Sequence, residues 1–303
     1  MASERDLPTS IDTLMFGQPG STAVHLVPSG TPALVDAGAA STAETVEGTL
    51  RRQGVDRVEA VLLTHIHLDH AGGTGDLLRA FPDAKAYVPE RVARHLIDPS
   101  RLIEGVRSVW GERTEELFGL PVPVPAERVV KVADGDTIEL GDRTIVALAT
   151  PGHTRAHLAY LDEKDGSLFC GDALGIHLPA VDVVRPATPP ADFSLEDSLA
   201  SIERIREAGA RRLYVAHYGL LDGDPGDACD RATAALERWW ELFERERPEA
   251  QGDEDLVRRM HCALEGSIEP VRPRQRRLLE TVNPTWLNVS GMTLAADRVR
   301  SGT

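Results

Sequence analysis

Apolar residues recur along the chain at two spacings. Through about residue 220 they form short runs, many of them β-branched, ended by Gly, Pro, Asp or Ser, and such runs predict strands. Residues 11–17, 22–28 and 32–36 read as the first three, and Val58 to Leu63 as a buried strand. Further strands are predicted at 84–88, 128–133, 136–140, 143–149, 157–162, 167–170 and 212–216, with turns at Asp134-Gly135, Gly141-Asp142 and Glu163 to Gly166. Helical spacing appears between them over 41–53, 74–81 and 194–208, and a polar, helical stretch from Pro89 to Leu120 reads as an insertion that flanks a pocket.

Beyond residue 225 the helical spacing takes over. Ala228 to Arg245 carries Ala232, Leu236, Trp239, Trp240 and Phe243 on one face; Asp253 to Leu264 and Arg274 to Val282 continue it, with a break near Pro270 and Pro273. The order predicts an α/β sandwich followed by a helical appendage. With Trp239, Trp240, Phe243, Trp286 and Leu287, residues 225–300 are too apolar for a free tail and are expected to pack on the sandwich, as pocket wall or as a homodimer contact.

Composition narrows the function classes. The chain has 303 residues, 42% hydrophobic and 27% charged, enough for a large core. A formal net charge of -15 argues against nonspecific nucleic-acid or anionic-membrane binding. Cys170, Cys229 and Cys262 show no paired spacing, so neither a disulfide framework nor a cysteine-rich zinc site is expected. Met1 to Asp6 lacks the apolar core of a signal peptide and no run is long enough to span a bilayer, which together predict a cytoplasmic setting.

The chemistry concentrates behind the fourth strand. Thr64-His65-Ile66-His67-Leu68-Asp69-His70-Ala71-Gly72-Gly73 packs His65, His67, Asp69 and His70 into six residues at the end of an apolar strand. Imidazole and carboxylate together suit zinc, iron or manganese. Three later strands also end in His or Asp: His153 in Thr150-Pro151-Gly152-His153-Thr154, Asp172 in Cys170-Gly171-Asp172, and His217 in Ala216-His217-Tyr218-Gly219. Five histidines and two carboxylates suffice for two metals with one carboxylate between them. His95 reads as a solvated helix histidine.

The set Thr-His-x-His-x-Asp-His-x-Gly-Gly, Pro-Gly-His-Thr, Gly-Asp and a final His resembles the metallo-β-lactamase-fold hydrolase superfamily, above all its glyoxalase II-like and lactonase-like branches, over roughly residues 11–220. The resemblance implies an αββα sandwich with metals at one edge: a catalytic domain over 1–222, with the insertion at about 89–120, and a helical extension over 223–303. It implies His65, His67 and His153 as ligands of a first ion, and Asp69, His70 and His217 of a second, with Asp172 bridging. Two divalent ions are expected, zinc before iron or manganese. Asp36, in Val35-Asp36-Ala37-Gly38, matches a position that orients ligands and reads equally as a turn residue.

The function implied is hydrolysis of a small ester, lactone, thioester or phosphotriester by a hydroxide held between the ions. Asp69 is expected to steer the second ion rather than act as a free base. Tyr218, beside the last ligand, is a candidate donor to a substrate oxyanion or a pocket-wall residue, and His177 a candidate pocket residue. Two further classes stand beside this one: a mononuclear-iron dioxygenase of the same superfamily and a non-catalytic metal-binding protein. The basic substrate-binding residues of true glyoxalase II are not recognisable after His217.

Overall fold

The computed structural model describes residues 7–265 and 271–301. Met1 to Asp6 and Pro270, on which two of the expectations rest, lie outside them. Twelve strands build two six-stranded sheets. The first holds β1 (Thr9–Asp12), β2 (Ala23–Val27), β3 (Ala33–Val35), β4 (Ala60–Leu62), β5 (Lys85–Pro89) and β6 (Val129–Val132) in sequential order. The second holds β7 (Thr137–Leu140), β8 (Arg143–Ala149), β9 (Leu158–Asp162), β10 (Ser167–Phe169), β11 (Arg212–Val215) and β12 (Gly219–Leu220), also sequential.

Side-chain alternation explains the layering. In β3, Ala33 and Val35 face the second sheet while Leu34 faces outward. In β4, Ala60 and Leu62 face inward and Val61 outward, so the strand is apolar throughout because both faces are covered. In β11, Tyr214 faces the sheet interface and Leu213 and Val215 the opposite layer.

Outside the first sheet lie α1 (Ala43–Arg52), α3 (Thr74–Ala80) and α4 (Ala93–Ile97), buried through Val46, Leu50, Leu77 and Leu96; the short α2 (Leu68–Ala71) precedes α3. Outside the second sheet lie α7 (Leu195–Glu207), α8 (Pro225–Glu246), α9 (Asp253–Ala263) and α11 (Thr285–Ser301). Trp239, Phe243, Met260 and Met292 from these helices share one core with Leu168 and Val215 of the sheet. The insertion comprises α4, α5 (Ser100–Trp110) and α6 (Thr114–Phe118); α10 (Pro273–Val282) precedes α11.

Strand direction gathers the chemistry at one edge. β3 and β4 are parallel. β8 and β10 are each antiparallel to β9, and β10 is parallel to β11, so β8, β10 and β11 run the same way. The loops that follow these strands therefore open on a common edge of the sandwich.

Most predicted strands are trimmed at their ends, and the first, expected over 11–17, is displaced as well as shortened. β1 stops at Asp12, because its carboxylate accepts from Leu14 N at 3.0 Å and from Gly20 N at 2.8 Å and turns the chain. Leu14 and Phe16 follow with φ of 54° and 57°, which no strand permits.

Candidate metal centre

The seven sequence-predicted ligands converge at that edge. His65 Nε2 and His153 Nε2 each lie 3.0 Å from His67 Nδ1, so three ring nitrogens share one point. Beside them, His70 Nε2 and His217 Nε2 each lie 3.5 Å from Asp69 Oδ2. Asp172 stands between the two groups. Its Oδ2 is 3.4 Å from His153 Nε2, and its Oδ1 is 3.5 Å from His70 Nε2 and 3.6 Å from His217 Nε2.

The outer nitrogen of four of these rings is already committed. His70 Nδ1 donates to Asp36 Oδ2 at 3.0 Å, His153 Nδ1 to the Ala187 carbonyl at 2.9 Å, and His217 Nδ1 to the Ser21 carbonyl at 2.7 Å. Thr64 Oγ1 donates to Asp36 and so accepts from His65 Nδ1 at 3.0 Å. In the neutral ring each Nε2 lone pair is thereby aimed inward, which is what a metal ligand requires. His67 differs in presenting Nδ1.

Asp36 emerges as more than a turn residue. Its Oδ1 accepts from Thr64 N at 2.9 Å, its Oδ2 holds His70, and the residue is buried. It takes φ 62°, a left-handed conformation that Asp tolerates better than most residues.

Electrostatics divides the cluster in two. Burial pushes His65, His67 and His153 down, His67 to about 3, aided for His65 and His67 by neighbouring imidazoles, so these three are neutral donors at neutral pH. Burial acts the same way on His70 and His217, but Asp172 and Asp69 outweigh it and raise both. The Asp172 carboxyl is itself held well below its usual range, since His70, His217 and His153 outweigh its burial. The second group thus concentrates negative charge that calls for a cation.

The donor set fits divalent ions. Imidazole nitrogen and carboxylate oxygen are the ligands zinc, iron and manganese take. Two buried atoms, His70 Nε2 and Asp172 Oδ1, have no hydrogen-bond partner among the described residues, although only 3.5 Å separates them. Orphaned buried polar atoms are costly, and a shared cation would satisfy both. His65, His67 and His153 form one compatible ligand group, Asp69, His70 and His217 another.

The family model of the metallo-β-lactamase superfamily matches residues 17–217. The chain belongs to the metallo-β-lactamase superfamily. Its αββα layers are those of that fold, which implies divalent-metal binding. The chain is 30% identical over 171 residues to the metallo-β-lactamase fold-containing protein ST1585 of Sulfurisphaera tokodaii, covering 55% of this chain and 63% of that one. It is 32% identical over 200 residues to a hydroxyacylglutathione hydrolase of a Synechococcus strain (66% and 63%). It is 37% identical over 117 residues to hydroxyacylglutathione hydrolase 2 of Vibrio vulnificus (39% and 33%). The matches thus span from a third to under two thirds of these relatives' length. In three dimensions the archaeal ST1585 structure superposes with a TM-score of 0.69 at 22% identity, covering 94% of this chain and 98% of that one. The metallo-β-lactamase family protein TTHA1429 of Thermus thermophilus gives 0.62 at 21% identity, covering 97% and 93%. These superpositions speak for the fold.

Two catalytic candidates fall outside the superfamily cluster. His177 Nε2 donates to the Leu174 carbonyl at 3.0 Å, and its backbone N–H donates to the His217 carbonyl. Burial pushes its ring down to about 4, and it acts as a neutral brace behind His217. Tyr218 is half-buried near Asp12; burial and that carboxylate raise its phenol, and no hydrogen bond links its hydroxyl to the cluster among the described residues. His95 is bonded to Arg94, on the insertion.

Sequence reasoning passed over His157. It accepts from Asp172 N at 3.3 Å through Nε2, so its Nδ1 donates to Thr150 Oγ1 at 2.7 Å. Both nitrogens are used, so it positions Asp172 rather than binding an ion. The close fit needs Gly171, where a Cβ would sit 2.6 Å from His157 Nε2 and where φ is +50°. The spacing His153 to His157 was the available signal. A second omission lies in α11. Asn288 Oδ1 accepts from Thr188 N at 2.8 Å and from Thr188 Oγ1 at 3.0 Å, next to the Ala187 carbonyl that holds His153.

Proposed function

We propose that this chain is a metal-dependent hydrolase that binds two divalent ions, zinc foremost, and cleaves a small ester or lactone, with thioesters and phosphotriesters as related substrates. The observation that carries the reading is Asp172, whose two oxygens each face a different histidine group. When bound, such a pair supplies a water of lowered pKa and polarises the substrate oxygen. The chain's own part is to hold ring lone pairs inward through Asp36, Thr64, Ala187 and Ser21, and to keep two carboxylates charged beside them. His67 and Asp69, partly exposed where the other candidate ligands are buried, mark the side from which substrate enters. The hydroxyacylglutathione hydrolases among the relatives support a carbonyl substrate, and the chain's coverage of them leaves its own substrate to this proposal.

Metal analysis of protein purified without added metal, paired with a panel of lactones, aryl esters, thioesters and phosphotriesters, tests it. Two ions per chain with turnover of at least one class is the expected result. One iron with oxygen consumption and no hydrolysis would instead give the dioxygenase. Asp172→Ala should lose metal and turnover together. Asp69→Asn should weaken both, with partial rescue by added metal; a variant that keeps both ions tightly yet is inactive would assign Asp69 a proton-transfer role instead.

A further inference from the structure

A cavity of about 590 Å³ lies between the 14–17 turn, the α5–α6 insertion and the corner joining α10 to α11. That volume is in the range of small-molecule sites. Its apolar lining comes from all three pieces: Leu14 and Phe16, Trp110 and Leu117, Pro284 and Trp286. The rings are mutually braced. Trp110 packs edge-on against Trp286, with centroids 5.1 Å apart, and against Phe118 at 5.5 Å. Leu14, 46% exposed, lies open at its border.

None of the candidate ligands lines the cavity, but two independent links run from its wall to the metal centre. Leu68, between His67 and Asp69 in sequence, is buried in the same apolar cluster as Phe118, with Phe16, Trp110 and Leu117 packed against it. Leu68 lies behind the cavity rather than in its lining, so the packing under Phe16, Trp110 and Leu117 reaches the segment between the two most accessible ligand candidates. The 14–17 turn is tied to His217 as well: Ser21 Oγ donates to the Met15 carbonyl at 3.1 Å, and the Ser21 carbonyl accepts from His217.

Beside the apolar residues the lining carries the hydroxyl residues Ser41, Thr42 and Thr281 and three charged ones, Arg113, Glu116 and Glu280. Glu280 is engaged by Arg185 Nη1 at 2.8 Å and by Thr285 N and Oγ1. That leaves Arg113 and Glu116, one of each sign. A glutathionyl group brings two carboxylates and one ammonium, and this lining offers it a single guanidinium beside an acid. An aromatic or aliphatic group meets tryptophan faces.

Resting on the hydrolase reading, we infer that this cavity is the substrate-side-chain subsite and takes an uncharged apolar group, an aromatic ring or medium-length alkyl chain, in preference to a glutathionyl group. Trp110 and Trp286 are its specificity-determining residues.

Calorimetric binding of unreactive primary amides, from butanamide to decanamide, together with phenylacetamide, tests this on the metal-loaded protein. Affinity should rise at least tenfold along the alkyl series, and phenylacetamide should bind more tightly than butanamide. Trp286→Ala should cut decanamide affinity at least fivefold. Leu14→Glu, at an exposed position, should cut it likewise while leaving the melting temperature unchanged. Affinity that is flat along the series, or S-methylglutathione binding more tightly than decanamide, overturns the inference. Because the probes are not cleaved, a protein that binds them but hydrolyses nothing refutes the hydrolase and leaves the subsite standing; hydrolysis with flat binding does the reverse.

Discussion

Asp36 shows how much one side chain can be asked to hold. It bonds the N–H and hydroxyl of Thr64 and the outer nitrogen of His70 from a left-handed backbone. Replacing it removes the orienting partner of a candidate ligand, a change that typically lowers metal affinity about 10–100-fold. Asp36→Ala and Asp36→Gly should lose metal affinity alike in a chelator competition. They should part in thermal melts, where Ala pays about 1–2 kcal/mol for the left-handed φ that Gly adopts freely. Equal melting temperatures would show that the backbone relaxes.

His25 supplies a pH prediction away from the ligands. It is buried between Phe169 and Tyr214, its Nδ1 lies 3.2 Å from Ser10 Oγ, and burial lowers its pKa from 6.5 to about 4. Above pH 6.5 the ring is neutral both folded and unfolded and contributes nothing. Between 6.5 and 4 the unfolded chain takes up a proton that the folded chain refuses, so stability falls as pH falls. The full loss approaches about 3 kcal/mol, at roughly 1.36 kcal/mol per pKa unit. Denaturant melts from about pH 7 to 4 should show His25→Phe with a shallower decline than the parent; identical slopes would contradict the assignment.

At the scale of elements, local pattern and long-range contact separate cleanly. The residues that converge at the edge could be picked out as candidate ligands because each sits where an apolar strand ends, and β8 was legible to its limits because Gly141-Asp142 and Pro151 bound an apolar run. The cap by Asp12 was not, since it depends on Gly20, eight residues on. Nor was Asn288, whose partner Thr188 lies 100 residues away and leaves no trace in local spacing. The directions of the Tyr218 and His177 rings were illegible for the same reason, for proximity in sequence to a ligand says nothing about which way a ring turns. Gly291 belongs here too. A Cβ there would stand 2.0 Å from the Thr188 carbonyl, so helix α11 lies directly on the 185–189 loop. Gly291→Ala should therefore destabilise by about 1–3 kcal/mol or more through overpacking, although in an isolated helix the same change is favourable. An unchanged melting temperature would show that the loop yields.

For the whole molecule, the helices after residue 225 complete the second sheet's outer layer. Trp239 is fully buried there, under the Arg185 guanidinium at 5.3 Å. Deletion beyond Gly223 would strip α8, α9 and α11 from the core they share with Ala159, Leu168, Leu213 and Val215, leaving α7 alone on that face. We expect that truncated protein to aggregate or lose its cooperative melt, and Trp239→Ala in the full chain to cost about 3–5 kcal/mol. A truncated chain that stays monodisperse and melts sharply would mean that the sandwich is self-sufficient. No helix among the described residues is long and apolar enough to cross a membrane.

The contact between α11 and the loop that anchors His153 makes the far end of the chain a party to ion capture. Because Asn288 grips Thr188 and the next carbonyl back holds His153, any ion that favours the aligned imidazole also favours the docked helix. Linkage is reciprocal: whatever the helix contributes to affinity, the ion returns as protection of the helix. Amide exchange in 285–295 should slow when divalent metal is added and quicken when it is chelated, with Asn288→Ala cutting the effect. The last helix would then report occupancy of a centre formed by the other end of the fold, and loss of metal would be felt first as fraying there.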